Sequence, residues 1–100
     1  MGGEPLAEQN VGEVLSLIKK IRKLYPQKKI WLYTGFLYED CLEHPLRREI
    51  LSNIDVLIDG PYKNELRDIT LAWRGSSNQR VIDIQKSLEE KKIILLNLSS

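Results

Sequence analysis

What this 100-residue sequence lacks narrows its chemistry before any motif is considered. It holds a single cysteine, Cys41, and a single histidine, His44. One cysteine forms no intrachain disulfide and no cysteine metal cluster within the chain. Cys41 and His44 stand in Cys-x-x-His spacing, but a closed metal site needs four ligands and no second pair exists. Both are therefore read as residues of local structure. A dominant charge is missing too: 15 Lys and Arg face 14 Asp and Glu, for a net charge of +1. That balance predicts neither a nucleic-acid partner nor attraction to a membrane surface. No apolar run approaches the ~20 residues that span a bilayer. No positively charged start leads into a short apolar core either. Together these absences predict a cytoplasmic protein.

What is present describes a folded chain. Hydrophobic residues make up 42% and charged residues 29%, the balance of a soluble globular domain without a bias towards disorder. The length fits one domain over residues 1–100, near the lower end for a well-buried core. No repeat, low-complexity tract or linker divides it. The chain opens with Met1-Gly2-Gly3-Glu4-Pro5, a sharp turn in which the glycines let the backbone approach a ligand. Glu4 there can accept hydrogen bonds from a cation, and Pro5 limits the exit direction.

Helical spacing follows, with Val11, Val14, Leu15, Ile18, Ile21 and Leu24 on one face and basic residues crowding the C-terminal half. Asn10 and Glu13 have the spacing of a capping box. Pro26 ends this helix, and the basic run Lys19–Lys23 with Lys28 and Lys29 reads as a solvated face, with partner docking as the minor alternative. Ile30-Trp31-Leu32-Tyr33-Thr34 is a β-branched and aromatic run, the pattern of a parallel strand buried on both faces. Residues 36–42 suit a short helix or turn. Pro45 then starts a helix with Leu46, Ile50, Leu51 and Ile54 inward. Asp55-Val56-Leu57-Ile58-Asp59 is the next buried strand, cut by Gly60-Pro61. Residues 60–80 lose periodicity and read as an irregular functional loop. Val81–Ile84 predicts a short strand, Gln85–Lys91 a helical turn, and Ile93–Leu98 a last strand. The order predicts an α/β fold of right-handed β/α units.

Ligands of parallel α/β sheets bind at the carboxyl ends of the strands. Three elements converge on that edge: the Gly2-Gly3-Glu4-Pro5 turn, Thr34-Gly35, and Asp59-Gly60-Pro61. Singly, each has a plain explanation as strand-to-loop punctuation or a first-turn acid. The segment Arg74-Gly75-Ser76-Ser77-Asn78-Gln79-Arg80 adds guanidiniums, hydroxyls and amides that suit a carboxylate, phosphate or nucleoside. The competing reading is a polar loop held by its own Ser and Asn turns. The spacing of a phosphate-binding P-loop is absent, and His44 has no nucleophile partner for a triad.

Four motifs occur in series: Gly2-Gly3-Glu4-Pro5, Trp31-Leu32-Tyr33-Thr34-Gly35, Asp55–Tyr62 and Trp73–Arg80. Along essentially the whole chain this series resembles the activating proteins of anaerobic ribonucleoside-triphosphate reductases, small radical S-adenosylmethionine enzymes. The first motif is shared by many radical S-adenosylmethionine enzymes; the Arg-Gly-Ser-Ser-Asn-Gln-Arg run is far more specific. The resemblance implies the C-terminal part of a partial (β/α) barrel, mostly parallel with flanking helices. It implies S-adenosylmethionine and a [4Fe-4S] cluster as cofactors, and the large subunit of the reductase as partner. The implied reaction is reductive cleavage of S-adenosylmethionine to methionine and a 5′-deoxyadenosyl radical, which leaves a glycyl radical on the reductase. By position, Gly2, Gly3 and Glu4 would hold the methionine ammonium, Asp59 the ribose hydroxyls or the amino group, with Thr34 a weaker candidate. Arg74, Ser76, Ser77, Asn78 and Arg80 would meet cofactor or reductase.

The sequence departs from the family at one place. The family's three cluster thiolates lie in a Cys-x3-Cys-x2-Cys motif ahead of the Gly-Gly-Glu-Pro turn, and Cys41 is not at that place. No metal ligand is assigned in this chain, which is expected to be a fragment, a truncated reading frame or a degenerate remnant. Alone it is expected to be inactive and marginally stable or oligomeric. The alternative functions are a non-catalytic module that binds S-adenosylmethionine or the reductase, and a partly folded product with no role of its own.

Overall fold

A computed structural model describes residues 4–67, 76 and 78–96. Their order is α1 (Val11–Leu24), β1 (Trp31–Tyr33), α2 (Tyr38–Cys41), α3 (Pro45–Leu51), β2 (Val56–Asp59), β3 (Arg80–Asp83) and α4 (Ile84–Glu90). A 3-10 turn at Asn64–Leu66 lies between β2 and β3. Helix α1 buries Val11, Leu15 and Ile18, one turn apart on a single face. Arg22 and Lys23 occupy its last turn, where cations suit the carbonyl end of the helix dipole. The expected capping box does not form: the Asn10 amide donates instead to the Glu4 carbonyl at 2.9 Å. Leu24, expected on the inner face, is 58% exposed.

Arg22 leaves the solvated basic face to which its sequence neighbours belong. Its guanidinium donates to the Asn53 carbonyl at 2.7 Å and to the Asp55 carboxylate at 2.6 Å. Asp55 in turn accepts from the Ile30 amide at 2.8 Å. One side chain thus joins the end of α1 to the entries of β1 and β2. Helix α3 starts at Pro45 as expected, and Ile50, Leu51 and Ile54 are fully buried. Leu46, expected beside them, lies exposed in the first turn.

The strands form one sheet in the order β1-β2-β3. β1 and β2 are parallel, with Trp31 opposite Val56 and Tyr33 opposite Ile58. β2 and β3 are antiparallel, with Val56 opposite Asp83 and Asp59 opposite Arg80. The described sheet is therefore mixed, where a mostly parallel one is expected. A parallel pairing needs a crossover element, usually a helix, whereas an antiparallel strand only has to turn back. Between β2 and β3 the described residues hold a 3-10 turn and a single Arg67–Ser76 bridge, not a crossover helix.

Central β2 is buried along its whole length. Leu57 packs with Ile82 and the helices, while Val56 and Ile58 pack with Val81, Trp31 and Leu96 on the other face. That two-sided burial is why the strand reads as an unbroken apolar run. β1 was expected to be buried on both faces, but it pairs only with β2 among the described residues, and Tyr33 is 52% exposed. Strand β3 ends one residue earlier than expected because Asp83 caps α4, accepting from the Lys86 amide at 3.1 Å. The expected last strand is reduced to a bridge between Leu95 and Ile82, flanked by bonds from Asp83 to Ile94 and from Leu96 to Val81. Residues 97 and 98 of that prediction lie outside the described residues.

Candidate functional site

A cleft of about 360 Å³ opens at the carboxyl ends of β1 and β2. Glu4, Thr34 and Gly35 form one wall, Gly60 and Gln79 another, and Tyr33 and Tyr62 flank it. The convergence of the opening turn with the Thr34-Gly35 and Gly60 segments is thus present in space. Gly2 and Gly3 lie outside the described residues.

Glu4 is placed by its neighbours on every side. Thr34 Oγ1 donates to Oε2 at 2.7 Å, the Leu6 amide donates to Oε2 at 2.9 Å, and the Gly35 amide donates to Oε1 at 2.6 Å. The turn carrying it closes through a bond from the Ala7 amide to the Glu4 carbonyl at 3.1 Å. Arg47 reaches over from α3, stacks on the Phe36 ring at 4.2 Å and donates to the Leu6 carbonyl at 2.7 Å. The turn carrying Glu4 is therefore tied to the end of β1 and, through Leu6, to α3, although Glu4 and Thr34 are 30 positions apart. Gly35 permits this closeness, because a Cβ there would stand 3.2 Å from Glu4 Oε1.

Asp59 closes β2, fully buried, and its carboxylate is engaged within the protein. Arg80 donates to Oδ1 at 2.9 Å and to Oδ2 at 2.5 Å, and the Tyr38 amide donates to Oδ2 at 2.7 Å. The cross-strand register creates this pair, since Asp59 and Arg80 are direct partners. The carboxylate also caps α2, whose Tyr38 amide has no partner within the helix. Arg80 bridges onward to Glu39 at 2.6 Å. Asp59 first and Glu39 second hold the Arg80 guanidinium above its ordinary value, and the Arg80 bond lowers the Glu39 carboxyl below its own.

The described part of the 74–80 segment also points inward. The Lys63 amide donates to Ser76 Oγ at 3.2 Å, and that hydroxyl donates to Asn78 Oδ1 at 2.7 Å. Asn78 Nδ2 donates to the Pro61 carbonyl at 2.8 Å, and Gln79 Nε2 to the Gly60 carbonyl at 3.0 Å. These side chains fasten the Gly60-Pro61 corner, in keeping with the reading of a polar loop held by its own turns. Arg74 and Ser77 lie outside the described residues.

Cys41 and His44 do not meet as ligands. Cys41 is fully buried in the helical core, and burial pushes its thiol up to about 11. His44 caps α3 through Nδ1, which accepts from the Arg47 amide at 3.4 Å, while Nε2 lies 3.0 Å from Glu8. Among the described residues no group of three or more His, Cys, Asp or Glu is arranged to hold a metal ion. No described helix is long and apolar enough to cross a membrane. Sequence reasoning missed Tyr33 and Tyr62 as cleft residues, whereas Gln79 belongs to the 74–80 segment whose amides it singled out. Only the placement of Tyr33 and Tyr62 beside glycine-bearing strand ends could have signalled them.

Anaerobic ribonucleoside-triphosphate reductase-activating proteins are 41% identical to this chain over 80 residues in Escherichia coli K12 and 42% identical over 80 residues in enterobacteria phage T4. The one from Pasteurella multocida is 40% identical over 78 residues. These matches cover 78–80% of this chain but only 48–51% of each relative. The chain therefore spans about half the length of the curated relatives it matches. No solved structure matches it. The family described as "4Fe-4S single cluster domain" matches residues 1–82, and the chain belongs to that family.

Proposed function

We propose that this chain provides the S-adenosylmethionine-binding part of an activase that generates the glycyl radical of anaerobic ribonucleoside-triphosphate reductase. The observation that carries the reading is the Glu4 carboxylate, fixed by three donors on the wall of a cleft at the strand ends. A fixed anion at that place suits the ammonium of an amino-acid ligand. Tyr33, Tyr62 and Gln79 give the same cleft the aromatic and amide surface that a nucleoside takes. The similarity to activating proteins of the reductase supports that enzyme as the partner, and its large subunit is the component this reading assigns. When bound, the cofactor supplies the hydrogen-abstracting chemistry. Gly2, Gly3 and Glu4 would hold its ammonium, with Thr34 holding Glu4 and Asp59 fixing the end of β2.

The residues present do not fit the cluster itself. The single thiol is sealed in the core and held protonated, so the cluster's thiolates come from polypeptide other than these 100 residues. That observation favours one further reading, a module that binds the cofactor or the reductase without redox chemistry of its own. The apolar far face of the sheet, with Val56, Ile58, Val81 and Trp31, suits the interior of a partial (β/α) barrel.

Calorimetric titration with S-adenosylmethionine tests the binding half: saturable binding that Glu4→Ala abolishes is expected, and no saturable binding overturns it. Reduction with dithionite tests the division of labour. Formation of 5′-deoxyadenosine by the 100 residues alone would refute the assignment of the cluster ligands to other polypeptide.

A further inference from the structure

Glu4 lines the cleft with most of its accepting capacity already taken. An ionised carboxylate offers about four acceptor sites on its two oxygens. Oε2 receives both the Thr34 hydroxyl and the Leu6 amide, and Oε1 receives the Gly35 amide. Among the described residues' bonds a single site remains, on Oε1. The Thr34 hydroxyl is equally committed: its proton goes to Glu4, its oxygen accepts from the Phe36 amide at 3.1 Å, and the residue is only 5% exposed. A buried hydroxyl so engaged does not turn towards a ligand without abandoning both bonds.

We propose that Thr34 and Gly35 are positioning residues that hold the Glu4 carboxylate so that it accepts one hydrogen bond from a cationic nitrogen of the ligand. The site thereby selects ligands that carry an ammonium at that point. This rests on the cofactor reading above and assigns Thr34 a role through Glu4, not on the ligand. Preorganisation is the physical gain: a carboxylate fixed before binding loses no rotamer freedom when the ligand arrives. Thr34 restrains one oxygen and Gly35 the other. Gly35 also leaves the space that a Cβ, 3.2 Å from Oε1, would take.

The test compares two ligands across four forms of the protein. Wild type, Thr34→Val, Thr34→Ser and Gly35→Ala are titrated with S-adenosylmethionine and with its desamino analogue. Thr34→Val and Gly35→Ala are expected to weaken S-adenosylmethionine roughly ten- to a hundred-fold, the effect of one hydrogen bond to a charged group. Thr34→Ser should restore wild-type affinity, and the desamino analogue should bind all four forms alike. Should Thr34→Val fail to fold, Gly35→Ala carries the same comparison from the other oxygen. Equal losses for both ligands, or no loss for either, would overturn the assignment while leaving the cofactor reading intact. Absence of binding by the wild type would overturn the cofactor reading, and this assignment with it.

Discussion

Replacing Arg80 by methionine should destabilise the fold more than replacing Asp59 by asparagine, although the two residues form one ion pair. The difference follows from where each charge sits. The Asp59 side chain is 0% exposed, whereas that of Arg80 retains 28% and has a second partner in Glu39. Arg80→Met leaves a carboxylate sealed in the protein with, among the described residues, the Tyr38 amide alone to satisfy it. Breaking a buried pair from that side costs about 3–5 kcal/mol, because the remaining charge is uncompensated. Asp59→Asn leaves the guanidinium with Glu39 and with water. Its cost is about 1.5–3 kcal/mol, that of a hydrogen bond to a charged group.

A small domain has about 5–15 kcal/mol in total, so the methionine variant should lie close to unfolding while the asparagine variant stays folded. Urea melts followed by tryptophan fluorescence give both values by linear extrapolation. Because the residues are in contact, the double variant should cost less than the two single variants together. An Asp59→Asn variant as unstable as Arg80→Met would refute the reasoning, since it would mean that the carboxylate is not a buried charge dependent on its partner.

Gly60 has φ +95°, so Gly60→Ala should cost about 1–2 kcal/mol in the same melts; an unchanged midpoint would contradict that backbone. The Glu39 carboxyl is lowered from 4.5 by its bond with Arg80. Its contribution is therefore complete above that ordinary value and lost as pH falls through the depressed folded value, and Arg80→Met should return its titration, followed by NMR, towards 4.5. The Cys41 thiol, raised from 9.0 to about 11 by burial, should contribute about 3 kcal/mol that is present below pH ~9 and lost as pH rises through the folded value. Alkylation rates should accordingly follow unfolding; rapid labelling of the native protein at neutral pH would count against the burial.

Several elements were legible because a local signal coincides with the tertiary outcome. The Val56–Ile58 run is apolar throughout because the strand has a neighbour on each edge and packing on each face. Pro45 marks the start of α3 because the first helical turn needs no amide donor there. The meeting of Glu4, Thr34 and Gly35 was legible through the rule that sites form at strand ends. Other features depend on register. Asp59 and Arg80 look like two separate ligand candidates until the antiparallel pairing makes them partners. Asn10 stands where a cap is expected, but its amide reaches back to the Glu4 carbonyl and serves the turn instead of the helix. Tyr33 lies in a run that reads as buried, but β1 is at the edge of the sheet among the described residues and Tyr33 is exposed to the cleft.

The same magnitudes separate the two carboxylates that the strand ends bring forward. A neutral hydroxyl, such as one from a ribose, adds about 0.5–1.5 kcal/mol as a hydrogen-bond donor to a protein acceptor. Among the described residues' bonds Asp59 also keeps one acceptor site, on Oδ1. That carboxylate is fully buried and does not line the cleft, so a ribose would reach it only by displacing the Arg80 pair that covers it, at a cost several times larger. In the arrangement described, Asp59 therefore shapes the cleft by fixing the start of α2 and the end of β2, where Gly60 turns. Glu4 faces the opposite balance. Its three bonds are made to donors at the end of β1 and in its own turn, they persist when a ligand arrives, and its last acceptor site adds a charge-assisted bond without breaking another. Of the two carboxylates, Glu4 is the one whose geometry gains from direct contact with a cationic ligand.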